Sequence, residues 1–197
     1  MPARSNQKAR TRSAIVEAAL ALRMEGTFPT VATAADAAKV SRATAYRYFP
    51  TQEALKVELY ARQVNAPIEK LVEAFSPEDP GQRLAALIDA YCELSTREEA
   101  HMRTALRVYQ DTWLRDAGAG TQQVRRGRRM EWLAAVLEPL DMPPARRKLL
   151  QAALALTVGA DSIVILRDVV GLDHAEARDI LQWAGAALLQ AATHGDS

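Results

Sequence analysis

The sequence has few of the residues that build disulfide scaffolds and metal sites. Its 197 residues include one cysteine, Cys92, and three histidines that lie far apart in the chain. A single cysteine excludes an internal disulfide and favours a reducing compartment. Without a second cysteine or a closely spaced histidine pair the spacing of a metal site is missing, and we expect neither a metal nor another cofactor.

Long hydrophobic runs are also missing. The longest uncharged run, Ile180–Gly195, has 16 residues, among them two glutamines, a histidine and two glycines. A helix that spans a bilayer needs about 18–20 apolar residues. The first residues, MPARS, lack the apolar stretch of a secretory signal. We therefore expect a cytoplasmic protein with no membrane partner.

The spacing patterns of common catalytic sites do not occur in the sequence. It contains no G-x-S-x-G elbow, no P-loop and no dinucleotide fingerprint. Cys92 lies in an apolar helical pattern, which is more typical of a buried small side chain than of a nucleophile. We predict no catalytic residues, and an all-α enzyme is the weakest of the functions considered.

Net charge is low, but its distribution is uneven. The formal total is +1, whereas residues 1–50 carry eight Lys/Arg against three acidic residues, an excess of five positive charges. The remaining residues hold 17 Lys/Arg and 21 Asp/Glu, an excess of four negative charges. This asymmetry is expected when one end of a chain meets phosphates, although a solvated basic tail has the same composition.

Helical periodicity runs through almost the whole chain, and no stretch alternates as a strand would. The sequence therefore predicts an all-α protein. Turn residues and helix caps divide the pattern into predicted helices over about 9–24, 30–38, 42–48, 51–75 with a kink at Pro67, 82–97, 101–117, 121–141, 144–170 and 173–193.

The stretch Thr30–Phe49 contains two short predicted helices separated by Lys39 and Val40. This layout is typical of a helix-turn-helix, in which the N-terminal residues of the second helix meet base edges in the major groove. Arginine pairs with guanine, threonine contacts thymine methyl groups and tyrosine hydroxyls reach phosphates. The side chains predicted to contact DNA are therefore Arg42, Thr44, Tyr46, Arg47 and Tyr48.

The region from about residue 10 to residue 60 resembles the TetR-family transcriptional regulators. The run Val40–Phe49 is similar to that family's turn and recognition helix, and the match extends over Arg12, Ile15, Ala18, Ala19, Gly26, Thr30, Val31, Ala35, Ala38, Glu53 and Leu55. The resemblance implies further DNA contacts at Thr30, Ser41, Ala43 and Thr51. It also implies a DNA-binding domain over residues 1–52 and a larger helical ligand-binding and dimerisation domain over residues 53–197.

Four positions depart from the family pattern. Ala34 and Ala45 stand where the family usually has larger aliphatic residues, which predicts a lightly packed core in this module. Lys39 stands where the family usually has glycine, so a positive φ there would cost about 1 kcal/mol. Gln52 stands where the family commonly has a lysine that touches phosphate, which predicts the loss of one charge-assisted contact.

The apolar pattern in the C-terminal part of the chain predicts that this part contacts a partner subunit. Residues 149–166 are apolar on more than one side, which requires burial on more than one side. The resemblance implies a homodimer built on a four-helix bundle from the last two long helices. The predicted interface residues are Leu156, Ala160, Ile163, Ile180, Ala184, Ala187, Leu188 and Ala191.

The resemblance also implies a small-molecule effector, of unknown identity, inside the helical body. Candidate lining residues are the larger side chains of the middle helices: Tyr60, Tyr91, Met102, Leu106, Tyr109, Trp113, Met130 and Leu133, with an ordinary core as the alternative. Arg103 and Arg107 lie one helical turn apart among these residues. Arg103 is a candidate to pair with an anionic ligand, and the alternative is that both arginines face solvent. Arg125, Arg126, Arg128 and Arg129 are predicted to face solvent.

Together these features predict a ligand-responsive transcriptional regulator, most simply a repressor that binds a palindromic operator as a homodimer. The alternative is a helical ligand-binding or scaffolding protein whose DNA-binding module is degenerate, which Lys39 and Gln52 suggest.

Overall fold

A computed structural model describes residues 2–26, 29–75, 79–116 and 128–194 of the chain. These residues form helices joined by turns, with no strand in any of the described ranges, so the all-α prediction is confirmed. The chain divides into two compact units, Met1–Val64 and Asn65–Ser197. In the described ranges no helix is long and apolar enough to cross a membrane.

The described residues of the first unit form four helices. They are α1 (Pro2–Met24), α2 (Val31–Ala37), α3 (Arg42–Tyr48) and α4 (Gln52–Val64). Helix α1 begins seven residues before the predicted start at Ala9, since Pro2 is tolerated in a first helical turn and no helix breaker follows it.

The core of the first unit draws on all four helices. Ile15, Val31, Phe49 and Leu55 are at most 1% exposed and belong to one hydrophobic cluster. Because Leu55 and Leu59 of α4 belong to this cluster, the first unit ends twelve residues after the boundary predicted at residue 52.

An arginine ties α1 to α4 within this unit. Arg12 donates to both carboxylate oxygens of Glu58, at 2.9 and 2.5 Å, and its guanidinium lies 5.2 Å from the centroid of the Phe49 ring. Arg12, one of the residues that carry the TetR resemblance, therefore makes contacts that stabilise the first unit.

The second unit contains the remaining helices: α5 (Ala66–Glu73), α6 (Pro80–Asp116), α7 (Arg129–Leu137), α8 (Pro144–Leu154), α9 (Ala160–Val164), a π-helix (Ile165–Val170) and α10 (His174–His194). Helix α6 packs against α5, α7, α9 and α10, and α8 packs against α7 and α10. The core of this unit includes Leu84, Leu87 and Ile88 of α6 and Leu133 and Leu137 of α7.

Helix α6 joins the predicted helices 82–97 and 101–117 across a kink at Glu98, where φ is −122° and ψ is 21°. Before the kink, the Cys92 carbonyl accepts hydrogen bonds from the hydroxyls of Ser95, at 2.7 Å, and Thr96, at 3.0 Å. Hydroxyls that bond back to the preceding turn compete with the helical ladder and bend helices. Burial raises the pKa of the Cys92 thiol to about 11, as expected for a packed and unreactive side chain.

The prediction of one helix over 144–170 is wrong. Turns occupy residues 155–159, between α8 and α9, and the π-helix follows α9. At the break the Arg129 guanidinium donates to the Ala155 carbonyl and to the Asp161 carboxylate, both at 2.9 Å. A Cβ at residue 159 would overlap this guanidinium, so a larger residue there would displace the Arg129 side chain.

Two of the arginines predicted to face solvent are instead packed and paired. The side chain of Arg129 is 24% exposed, and that of Arg128 pairs with Glu69 of α5. Arg125 and Arg126 lie outside the described residues.

Candidate nucleic-acid interface

The turn between α2 and α3 is built as a complete helix C-terminal motif. The amide of Val40 donates to the Ala35 carbonyl at 3.0 Å, and the amide of Lys39 donates to the Asp36 carbonyl at 3.2 Å. This is the Schellman pattern, which places a left-handed residue directly after the helix cap. Lys39 occupies that position with a φ of 55°, a left-handed conformation that glycine adopts at lower cost.

Each short helix is capped by a hydroxyl. The Thr30 hydroxyl accepts from the Thr33 amide at 3.0 Å, and the Thr33 hydroxyl accepts from the Thr30 amide at 2.8 Å, which completes a capping box. The Ser41 hydroxyl accepts from the Thr44 amide at 3.2 Å, and the Thr51 hydroxyl accepts from the Ala54 amide at 3.1 Å. Thr30, Ser41 and Thr51 are exposed at the helix starts, where backbone N–H groups favour anions.

Helix α3 has one buried side and one solvent side. Ala45 and, at the helix end, Phe49 are buried, while Thr44 and Tyr48 are half-buried. The solvent side presents Arg42, Ala43, Tyr46 and Arg47, and Tyr46 is 47% exposed. The Arg47 guanidinium lies 5.6 Å from the Tyr48 ring centroid. The predicted contact residues thus include a cationic and aromatic surface along the solvent side of α3.

Arg42 at the head of this surface forms an ion pair with Asp36 of α2. Its Nη2 donates to Asp36 Oδ2 at 2.7 Å and its Nε donates to Oδ1 at 3.3 Å. Hydrogen bonding to Arg42 lowers the pKa of the Asp36 carboxyl, so the pair is ionised at neutral pH. Asp36 was not among the predicted contact residues, since its only signal in the sequence is an acidic residue six positions before an arginine.

Gln52 has a structural role at the start of α2. Its amide nitrogen donates to the Pro29 carbonyl at 2.6 Å, and its amide oxygen accepts from the Val31 amide at 3.0 Å. The Val31 N–H is one of the helix N-terminal donors that need a partner outside the helix. Gln52, the first residue of α4, therefore holds the N-terminus of α2 in place against α4.

The chain is similar to a solved TetR transcriptional regulator from Rhodococcus sp. RHA1, with a TM-score of 0.51 and 20% sequence identity. The likeness covers 92% of this chain and 97% of the other. The chain has the fold of a TetR transcriptional regulator. No protein-family model and no curated protein matches the sequence.

In the second unit of this TetR-like fold, some of the candidate ligand residues come together at the α6 kink. The Tyr91 hydroxyl donates to the Met102 sulfur at 3.8 Å across the kink, and the Tyr91 ring centroid lies 6.5 Å from that of Trp132. Trp132, which is 5% exposed, was missed by the sequence analysis although it adjoins Leu133.

The other candidate ligand residues differ in exposure. Leu133 is fully buried, whereas Trp113 and Met130 are 54% and 42% exposed, and Leu106 and Tyr109 are half-buried. Tyr60 is half-buried in the first unit.

Arg103 is occupied by carboxylates of its own chain. It donates to both oxygens of Asp168, at 2.6 and 2.7 Å, and to Glu99 Oε1, at 2.6 and 2.8 Å. Arg103 lowers the pKa of Glu99 and that of Asp168, because the guanidinium stabilises both anions. His174 Nε2 lies 3.1 Å from the other oxygen of Glu99. Arg103 thus ties α6 to the π-helix, while Arg107, one turn later, is exposed.

The candidate dimer residues separate into exposed and buried sets. Leu156, Ile180, Ala187 and Ala191 are exposed, and Ala184 and Leu188 are half-buried. Ala160 and Ile163 are 5% and 1% exposed inside the second unit, since the break at 155–159 changes the phase of the helix that follows.

Trp183, which is 72% exposed, was missed by the sequence analysis. It lies three residues after Ile180, a spacing that would have placed it on the same helix face.

Proposed function

We propose that this chain is a ligand-responsive transcriptional regulator that binds a palindromic DNA operator as a homodimer. The observation that carries the proposal is the solvent side of α3, where Arg42, Tyr46 and Arg47 project from a helix held by a Schellman turn and a serine cap. A recognition helix placed in this way reads base edges with its N-terminal residues.

The dimer is proposed from the exposed apolar side chains of the second unit. Val169, Leu156 and Trp183 are 80%, 75% and 72% exposed, and Ile165 and Val170 are more than half exposed. A contiguous exposed apolar patch marks an interaction surface, and we propose that these side chains form one. In a two-fold dimer the same surface serves both subunits, and the two recognition helices meet two half-sites related by the same symmetry.

The effector site is proposed at the inside of the α6 kink, among Tyr91, Met102 and Trp132. An effector regulates DNA binding only if it binds one conformation of the protein more tightly than the other. A kink held by side-chain hydroxyls is a position at which α6 can adopt such alternatives. Of the two signs of regulation we propose repression, which the TetR resemblance favours.

Selection of bound duplexes from a random DNA pool, with purified full-length protein at fixed salt, tests the proposal. We expect an enriched inverted repeat. The Arg42→Ala variant should then lose roughly 5- to 150-fold of discrimination at one base pair of each half-site if Arg42 reads a base. Weakening that is uniform over all sequences would instead make Arg42 a phosphate contact.

The second candidate is a helical ligand-binding or scaffolding protein with a degenerate DNA-binding module. The hydrogen bonds of Gln52 to Pro29 and Val31 favour it, since the TetR family commonly has at this position a lysine that touches phosphate. A folded, dimeric protein that enriches no sequence even at low salt would support this alternative. Whether the protein represses or activates is tested with a reporter gene placed downstream of the selected operator. A rise in transcription on adding the protein would contradict the proposed repression.

A further inference from the structure

The ion pair between Asp36 and Arg42 has a geometry that leaves one edge of the guanidinium for another acceptor. Asp36 binds the Nε and Nη2 atoms, at 3.3 and 2.7 Å. An arginine has a second edge, formed by Nη1 and Nη2, with the same fork spacing. That second edge is the one that this ion pair does not use.

Both partners face solvent at the position where a recognition helix meets DNA. The side chain of Arg42 is 65% exposed and that of Asp36 is 55% exposed. Asp36 lies in the last turn of α2 and Arg42 is the first residue of α3, so the pair spans the turn held by Lys39. An arginine held on one side by a carboxylate loses much of the rotamer freedom that a long exposed side chain otherwise has.

We propose that Asp36 is a specificity-determining residue that positions Arg42 to read a guanine in the major groove. This inference rests on the proposed DNA-binding function. In the complex, Asp36 keeps the Nε–Nη2 edge, and the Nη1–Nη2 edge donates to the O6 and N7 atoms of guanine, the commonest specific contact of arginine with DNA.

Charge favours base reading over phosphate binding by this pair. A phosphate attracts a lone arginine at any sequence, whereas the ion pair has no net charge and brings a carboxylate toward the DNA backbone. Asp36 therefore lowers the affinity for DNA of any sequence. It also restricts strong binding by Arg42 to a guanine, whose O6 and N7 atoms match the two donors of the Nη1–Nη2 edge. The two effects of Asp36 have opposite signs, and this makes them separable by experiment.

The test measures affinity and base preference separately with the full-length protein. The probes are the duplex selected by the wild type, the same duplex with each base pair of one half-site replaced in turn, and a duplex of unrelated sequence. Asp36→Asn removes the charge with little change of shape. Glu25→Gln is the matched control, because Glu25 is an exposed acid of the same unit.

We expect Asp36→Asn to bind the unrelated duplex more tightly and to lose about 5-fold or more of its discrimination at one guanine position. Glu25→Gln should keep the full discrimination. Arg42→Lys should lose discrimination at the same position, because lysine keeps the charge but has no planar fork. In an Arg42→Ala background, Asp36→Asn should leave discrimination unchanged, since the side chain that it positions is gone.

Two results would overturn the inference. If Asp36→Asn tightens binding to every duplex and leaves base preference intact, Asp36 only repels DNA. If Arg42→Ala loses preference at a position that Asp36→Asn does not affect, the pair does not act together. Failure of the wild type to enrich any sequence is a different result, because it overturns the proposed function as well.

Discussion

At the scale of single residues, Lys39 stores strain in the turn before the recognition helix. A left-handed conformation costs a residue with a side chain about 1–2 kcal/mol. Glycine would remove that cost. It would also give the unfolded chain more conformational freedom, which destabilises the folded protein by about 0.5–1 kcal/mol. We expect Lys39→Gly to raise the free energy of unfolding by about 0.5–1 kcal/mol, measured by urea denaturation with an unchanged slope.

Lys39→Ala is the control for this prediction. Alanine removes the charge but keeps the left-handed cost, so this variant should not be stabilised. Both variants lack the lysine charge and should lose the same DNA affinity if Lys39 touches phosphate. Equal stabilisation by glycine and alanine would show that the strain is not at the φ of residue 39.

The single residues also show what the sequence could predict about the site. The caps at Thr30 and Ser41 were predictable, because local patterns of the chain determine helix caps. The contacts of Asp36 and Gln52 were not, because each joins two helices whose mutual rotation is set by packing of the core. Sequence therefore indicated which residues are at the site but not which of them hold one another.

At the scale of helices, the break between α8 and α9 depends on a pair of residues that the sequence does not bring together. Arg129 fills the space next to Gly159 and donates to the carbonyl of Ala155, a group exposed by the end of α8. We expect Arg129→Met to lower the free energy of unfolding by about 1–3 kcal/mol, since the Ala155 carbonyl and the Asp161 carboxylate each lose a hydrogen bond from the guanidinium.

Gly159→Ala should destabilise by a similar amount, because its Cβ displaces the same guanidinium. The double variant should cost no more than the worse single one, since removal of the arginine side chain makes room for the methyl group. Arg107→Met, at an exposed arginine, is the control and should change stability by less than about 0.5 kcal/mol. Additive losses in thermal or urea denaturation would contradict this account.

Periodicity predicted the all-α class and the two helices of the DNA-binding motif, but it failed over residues 144–170. The apolar pattern there is continuous, and the local signal for the turns at 155–159 is Gly159, a residue type that is tolerated inside helices. The break is stabilised by a side chain from α7, a tertiary contact that overrides local preference. This failure also placed Ala160 and Ile163 on the predicted dimer face although they are buried in the second unit.

The ion pairs that link α6 to the π-helix should make the free energy of unfolding depend on pH in the acid range. Arg103 lowers the pKa of Glu99 and that of Asp168 below their ordinary values of 4.5 and 3.8. A lowered carboxyl pKa stabilises the folded protein above the ordinary value and loses this effect as pH falls through the folded value. We expect Arg103→Ala to be less stable than the wild type above about pH 5, with a difference that shrinks as pH falls below about 4.5.

The measurement is the free energy of unfolding of both proteins in urea at a series of pH values. Arg107→Ala, one helical turn further along α6, is the matched control, because its loss releases no carboxylate of this network. Its difference from the wild type should not change with pH. A difference for Arg103→Ala that is constant over the acid range would contradict the role of the ion pairs.

At the scale of the whole molecule, the two proposed activities lie in different parts of the chain. The excess of five positive charges falls in residues 1–50, which contain α2 and α3, whereas the rest of the chain has an excess of four negative charges. A net-acidic second unit opposes sequence-independent attraction to DNA, so binding should depend on a dimer that presents two basic first units together. Disruption of the dimer should therefore weaken DNA binding even when α3 is unchanged.

Trp183 of α10 is the position at which to test this dependence. It is 72% exposed, and Ile180, Ala184, Ala187 and Ala191 follow the same helical stripe. In a two-fold interface each substitution acts twice. We expect Trp183→Glu to weaken dimerisation by about 3 kcal/mol or more, roughly a hundredfold in Kd, without loss of helix content.

Sedimentation over a range of protein concentrations measures the dimer, and binding to the selected duplex measures the consequence. Leu114→Glu is the control, since Leu114 is a 67% exposed apolar residue of α6 outside this stripe. The Trp183→Glu variant should bind an isolated half-site as the wild type does but lose the added affinity of the full inverted repeat. A Trp183→Glu variant that stays dimeric would contradict the interface proposed on α10. A monomer that binds the full repeat as tightly as the wild type would contradict the dependence of DNA binding on the dimer.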